Sequence, residues 1–264
     1  MEKRTKDLLI IVPAHNEEAS IGGLLEQLEA PEIADMADVM VINDYSDDNT
    51  AQIVRERGHG LINLVYHMGY GAALLSGYQY AVRRQYRYVI QMDADGQHDV
   101  CNIFTIYKRL LSTDEQGKSP DIVLGSRFLE GGKSFRISRL KKMTIGVFRG
   151  LIRLTTGQKI TDPTTGLQGL NLRTLQYYSE ASHFDDKYPD TNMLIQMILL
   201  GYQIVEVPAV MHERETGTSM HGGLIHRAIY IAHMFFSICA ILLRILVLKT
   251  EVRASQGKRS REAS

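Results

Sequence analysis

The segment QMDADGQHD places Asp93 and Asp95 one small residue apart, directly after an apolar run. Two carboxylates at that spacing on a turn can share a divalent cation, with Gln97 as a further oxygen ligand. Hard oxygen ligands select Mg²⁺ or Mn²⁺, and such ions usually keep positions for substrate phosphates. Asp and Gly after a strand are also ordinary turn residues, so the pair alone does not decide the matter. Its companion loops do. Asp44 follows VMVI, where its carboxylate could accept a hydrogen bond from a nucleotide base or ribose, and Glu17 sits at the comparable point of the neighbouring strand. Glu17, Glu18 and Ser20 could equally favour the start of the next helix through its dipole and cap, and for Glu18 that reading is preferred. HMGYGAALLSG sets Gly69 and Gly71 before a helix, but it is not GxGxxG with a downstream ribose-binding acid, which disfavours a dinucleotide oxidoreductase.

The elements that must hold these loops alternate. LLIIVPAHN, VMVIND, LINLVYH, YRYVIQMD and DIVLGSRF read as strands, and SIGGLLEQLEA, TAQIVRERG, YGAALLSGYQYAVRRQ and CNIFTIYKRLLS read as the helices between them, as far as Phe128. Such alternation predicts an α/β fold with a mostly parallel sheet and helices on both faces. Ligands then bind outside the carboxyl ends of the strands, so the loops after Val12, Ile42, Tyr66, Met92 and Leu124 form the expected site.

Apolar types near 44% and charged types near 23% of 264 residues suffice for one sizeable core plus an appended element. Thirty basic and thirty acidic residues cancel, so no global field draws the chain to nucleic acid. Cys101 and Cys239 match no metal or redox spacing, suit a reducing compartment and read as packing residues. The N-terminus has too few apolar residues before Pro13 for a signal-peptide core, so the catalytic part is expected in the cytoplasm.

Between Gly131 and Thr161 there is no acidic residue but there are eight basic ones: Lys133, Arg136, Arg139, Lys141, Lys142, Arg149, Arg153 and Lys159. Leu140, Met143, Val147, Leu151 and Leu154 recur there at helical spacing, with Phe148 and Ile152 widening the stripe. A basic helix with an apolar face suits an anionic bilayer surface. The segment Ala228–Leu248 is mostly apolar but interrupted by His233 and Arg244, which makes a spanning helix marginal and an interfacial or partner-packed one preferred. The expected organisation is a catalytic domain over 1–222 that includes the basic amphipathic segment 131–161. A membrane-associating or oligomerising helix over 223–250 and a disordered tail over 251–264 follow.

In order along the chain, IVPAHNEE, VINDYSDDNT, QMDADGQHD, GSRF and TDPTTGLQGLN, with a weaker EVPAVMHERETGTSM, resemble the family 2 glycosyltransferases of the GT-A fold, and within them the polyprenyl-phosphate (dolichyl or undecaprenyl) sugar synthases. The resemblance covers about four-fifths of the chain. It implies that Pro13, His15, Glu17 and Asp44, with Asp93 and Ala94, bind the nucleotide, and that Asp93, Asp95 and Gln97 hold Mg²⁺ or Mn²⁺. Arg127, Arg139 and Arg214 would meet phosphate, and Asp162 would face the acceptor, with Asp95, Arg127, Arg139 and Asp162 as the catalytic set. The family often has an aromatic residue where His15 stands, Asp at Asn43, Asn at His67 and, in some members, Lys at Met220, which bears on base preference and the phosphate clamp.

The activity this implies is inverting transfer of a sugar from a UDP- or GDP-linked donor to a polyprenyl phosphate. The enzyme would be peripheral or monotopic at the cytoplasmic face of the cell membrane, in contact with membrane lipids and able to form a homo-oligomer. An ionised phosphate acceptor needs no strong general base. A hydroxyl acceptor would need one, for which Asp162 and Asp190 are the candidates. A non-catalytic membrane partner of the same fold is the alternative of another class, and intact Asp93, Asp95 and Arg127 argue against it.

Overall fold

A computed structural model describes residues 6–133, 138–213, 229–245 and 247. Strand β1 (Leu8–Ala14) reads LLIIVPA and is buried at every position. Leu9 and Ile11 point into one core cluster while Leu8, Ile10 and Val12 point into the other. A strand covered on both faces has no solvent side, which is why its sequence is a continuous apolar run. With β2 (Ala37–Asn43), β3 (Gly60–Asn63), β4 (Tyr88–Gln91), β5 (Ile122–Ser126), β6 (Gln168–Asn171) and β7 (Ile204–Pro208) it forms a seven-stranded sheet in the order β3-β2-β1-β4-β6-β5-β7. Every neighbouring pair is parallel except the two made by β6. The strand order turns at β1, which lies between β2 and β4 and so opens a crevice at the carboxyl edge.

The helices are α1 (Glu18–Leu28), α2 (Pro31–Ala34), α3 (Thr50–Glu56), α4 (Tyr70–Arg83), α5 (Cys101–Leu111), α6 (Arg139–Thr156), α7 (Leu172–Tyr178) and α8 (Thr191–Leu199). Apolar residues of α1, α2, α3 and α5 close one face of the sheet. Those of α4, α6, α7, α8 and the helical stretch 229–245 close the other.

Every strand and helix expected before Phe128 is present, with two adjustments. LINLVYH is a strand only to Asn63, because β3 is an edge strand paired with β2 alone and its last register partner is Asn43. Val65 and Tyr66 beyond it are exposed. Cys101, expected as a packing residue, is instead an exposed first residue of α5, its N–H donated to Asp99.

The amphipathic stripe of α6 divides. Phe148 and Ile152, with Ile145, enter the core, whereas Met143 (63% exposed), Val147 and Leu154 (83%) face outward. Both faces of this helix therefore carry apolar residues, which corrects the single-stripe expectation. The stretch 229–245 behaves alike: Tyr230, Met234 and Ile238 are buried, while Ile231, Phe235, Phe236 (70%) and Leu243 are exposed. Among the described residues, no helix is long and apolar enough to cross a membrane.

Candidate active site

Three parallel strands deliver the first cluster. Asp44, just past β2, is buried, and its carboxylate accepts the amides of Met68 and Gly69 at 2.7 Å each and Nδ1 of His67 at 3.0 Å. The turn needs glycine at position 69, where φ is +96°. His15, just past β1, donates Nδ1–H to the Asp44 carbonyl at 2.7 Å, and its ring lies 4.1 Å from that of His67. Pro13 is buried within β1 opposite Ile42. Glu17 stands at the N-cap position of α1 without a side-chain cap bond to the helix backbone; its carboxylate accepts the Ser20 hydroxyl at 2.7 Å. Glu18 accepts from the Asn49 amide and side chain.

Asp93 follows β4. Tyr70, the first residue of α4, donates its hydroxyl to Asp93 Oδ1 at 3.0 Å, and buried His98 approaches Oδ2 at 3.4 Å. Burial alone would raise the Asp93 pKa, but the His98 hydrogen bond and charge, then Tyr70 and Arg127, outweigh it and hold the carboxyl below its ordinary range. Gly166 presses on the same carboxylate: a Cβ there would come 2.4 Å from Oδ2. Ala94 is buried, and Asp95 closes the turn by accepting the Gln97 amide at 3.1 Å. Gln97 donates Nε2 to the His212 carbonyl, leaving Oε1 as its acceptor oxygen. The Asp93–Gln97 turn thus offers hard oxygens behind a glycine approach, a donor set that fits Mg²⁺ or Mn²⁺.

Arg127 and Asp162 are each other's partner. The guanidinium donates Nε and Nη2 to the two carboxylate oxygens at 2.6 Å each, and both residues are buried. Glu206 on β7 braces the pair, accepting the amides of Thr161 at 2.7 Å and Asp162 at 2.9 Å. Asp162 has no exposed surface, and Arg127 occupies both of its carboxylate oxygens. Arg139 is exposed in the first turn of α6, and Arg214 lies outside the described residues. Lys141, two residues after Arg139, is exposed. Its ammonium pKa is nonetheless lowered, first by lost hydration and then by Arg127, with Asp162, Asp93 and Asp95 opposing.

Asp190 caps the far wall. Burial raises its pKa to about 6, with Asp93 and Asp185 adding to the rise; the hydroxyl of Tyr230 donates to it at 2.8 Å and acts the other way. Nearby, Asp185 accepts from Asn192 at 2.6 Å and Ser237 at 3.1 Å, and Arg244 donates to the Ser182 carbonyl. The stretch 229–245 is therefore bonded to the loop that borders the site. Gly71 completes the contact, since a Cβ there would strike the Asp185 and Asp186 backbone at 2.5–2.7 Å.

Tyr70, His98, Gly166 and Glu206 carry no assigned role in the sequence reading, and Lys141 only that of a membrane-facing cation. His98 and Gly166 lie inside quoted motifs, but only the fold shows that both reach Asp93. A separate cavity lies between Lys6, Met40, Gly60 and Tyr86, and none of the residues above lines it.

Comparison with known proteins agrees with this architecture. The model of the family described as Glycosyl transferase family 2 matches residues 9–176. An undecaprenyl-phosphate mannosyltransferase of Micrococcus luteus is 30% identical over 231 residues, covering 84% of this chain and 90% of its own. A polyprenol monophosphomannose synthase of Mycolicibacterium smegmatis is 27% identical, covering 86% and 85%. Among solved structures, a mannosyltransferase from Pyrobaculum calidifontis in complex with GDP-Man and Mn²⁺ superposes with a TM-score of 0.60 at 19% identity, covering 89% of this chain and 64% of that one.

Proposed function

The chain belongs to glycosyl transferase family 2, and from that premise we propose that it moves a sugar from a nucleotide diphosphate to a polyprenyl phosphate at a membrane surface. The observation that carries this reading is the seating of Asp93 at the carboxyl edge, gripped by Tyr70 and His98 and faced by Gly166. The named relatives support the lipid-phosphate acceptor.

In this reading Asp93, Asp95 and Gln97 hold Mg²⁺ or Mn²⁺, which when bound would neutralise charge on the departing diphosphate. Pro13, His15 and Asp44 form the nucleoside side, with Asp93 and Ala94 completing the nucleotide-binding set. Glu17, at the N-cap position of α1, joins them. Arg127, oriented by Asp162, would meet phosphate as a donor that need not reorganise. Arg139 and Lys141 at the head of α6, with Arg214, meet the acceptor phosphate. An acceptor phosphate oxygen attacks the anomeric carbon, the bond from that carbon to the donor phosphate breaks, and the nucleoside diphosphate leaves. A single displacement inverts the anomeric configuration.

The outward faces of α6 and residues 229–245 support peripheral or monotopic attachment. Met143, Val147, Leu154, Phe235, Phe236 and Leu243 are exposed apolar residues, and Arg139, Lys141, Lys142, Arg153 and Lys159 are exposed cations on or beside α6. Apolar insertion and attraction to anionic lipid act together in such a surface. On this reading the acceptor's headgroup arrives at α6 from the cytoplasmic leaflet, and a homo-oligomer would use part of the same apolar face.

Asp190 favours a second reading, transfer to a glycan hydroxyl, because a carboxylate with a pKa of about 6 can serve as a base. One assay separates them: purified protein with Mn²⁺ or Mg²⁺, UDP- and GDP-sugars, and either undecaprenyl or dolichyl phosphate or a glycan. A lipid-linked product of inverted configuration is expected. Transfer only to the glycan selects the second reading, and absence of donor binding removes both.

A further inference from the structure

We propose that His15, Asp44 and His67 form a transition-metal site of the Zn²⁺ class, separate from the aspartates at 93 and 95. Three adjacent parallel strands, β1, β2 and β3, end beside one another and each is followed by one of these residues. Two imidazole nitrogens and one carboxylate oxygen lie within 4.8 Å of each other. The rings are not loose: Nδ1 of His15 contacts the Asp44 carbonyl, and Nδ1 of His67 contacts its carboxylate. Two backbone amides fix that carboxylate in turn. Asp44 therefore steadies both rings, His15 through its backbone carbonyl and His67 through its carboxylate, and one nitrogen of each ring lies within reach of a cation beside that carboxylate. Prior fixing of ligands by carboxylate and main-chain partners is what a metal site requires.

The donor atoms decide which ion. Nitrogen with a single oxygen favours Zn²⁺, Ni²⁺ or Cu²⁺ over Mg²⁺ and Ca²⁺, whereas the turn at 93–97 presents only oxygens. Three protein ligands leave a coordination position for an outside group. If the nucleoside binds here, as the proposed function has it, Zn²⁺ and the sugar donor compete. The metal would then act as an inhibitor of donor binding.

The test titrates full-length protein, without nucleotide, with Zn²⁺ against a chromophoric chelator in millimolar Mg²⁺. One equivalent is expected to bind despite the Mg²⁺. His15→Gln and His67→Asn should each weaken binding at least about tenfold, and Asp93→Asn should leave it unchanged. Wild-type affinity in both histidine variants, or loss of binding in Asp93→Asn, overturns the site. Should a variant fail to fold, histidine ring resonances of the unaltered protein are followed during the titration. Shifts confined to two rings support the site, and no ring shift overturns it. Donor binding in the same preparation keeps the two readings apart. Zn²⁺ binding without donor binding overturns the proposed function alone; donor binding without Zn²⁺ binding, or indifferent to it, overturns this inference alone.

Discussion

Tyr70 donates its hydroxyl to Asp93 across 3.0 Å, while Met68 and Gly69 immediately before it donate their amides to Asp44. One short turn at the head of α4 thus fastens the carboxylate after β2 and the carboxylate after β4 to the same backbone. Removing the hydroxyl should loosen one and spare the other. Tyr70→Phe is expected to weaken Mn²⁺ binding about 10–100-fold, the usual effect of losing an outer-shell partner. Saturating metal should then recover much of kcat. A metal titration of turnover checks this, and a variant with wild-type metal dependence would dismiss the link.

Asp95→Ala should reduce sugar transfer at least about 100-fold, in the range for removing one major electrostatic group, with the circular dichroism spectrum unchanged. Near-normal turnover would remove the metal role from the turn at 93–97.

The Arg127–Asp162 pair is a matter of stability as well as charge. Asp162→Asn leaves a buried guanidinium without its counter-ion and should cost about 3–5 kcal/mol, read by urea unfolding. The double change Arg127→Met, Asp162→Leu should recover most of that loss while remaining inactive. A single variant as stable as wild type would show that the pair is not buried as described.

Asp190 gives a pH dependence of defined sign. Its pKa is raised from 3.8 to about 6 by burial, so the folded protein holds this proton more tightly than the unfolded chain does. Its contribution to stability is full below about pH 4, falls as pH rises to about 6 and is flat above. Asp190→Asn should flatten that slope in metal-free protein, which unfolding midpoints at pH 4.5 and 7.5 would record. An unchanged slope would place the titrating group elsewhere.

Lys142 and Arg153 are exposed on α6 away from the paired residues. Replacing both by Gln should weaken partition onto anionic vesicles by about 2 kcal/mol, roughly 30-fold, at about 1 kcal/mol per cation. Phe236→Ser should weaken partition to neutral and anionic vesicles alike. Co-sedimentation separates these effects, and an unaffected Phe236→Ser protein would remove the apolar face from membrane contact.

Much of this was legible in the residues. β1, β2 and β4 are apolar runs ended by polar loops, and such runs declare themselves; so did Asp44, Asp93 and Asp95, because each follows one. β6 did not, since QGLN has neither apolar length nor alternation and becomes a strand only between β4 and β5. The pairing of Asp162 was hidden for a related reason: its partners Arg127 and Glu206 lie 35 and 44 residues away, a distance that periodicity does not span. Tyr70 reads as an ordinary helix-start aromatic until the sheet brings β3 and β4 to the same side of the molecule.

The reversed direction of β6 fixes which parts of the chain can lengthen. A connection that precedes a parallel strand arrives at the amino edge, but the stretch before β6 arrives at the carboxyl edge, which is how Gly166 comes to face Asp93. Extra residues inserted between 161 and 167 would displace that approach, while a loop grafted after Tyr178, past the opposite end of the strand, would leave it intact. Homologous chains should accordingly hold a constant count ahead of β6.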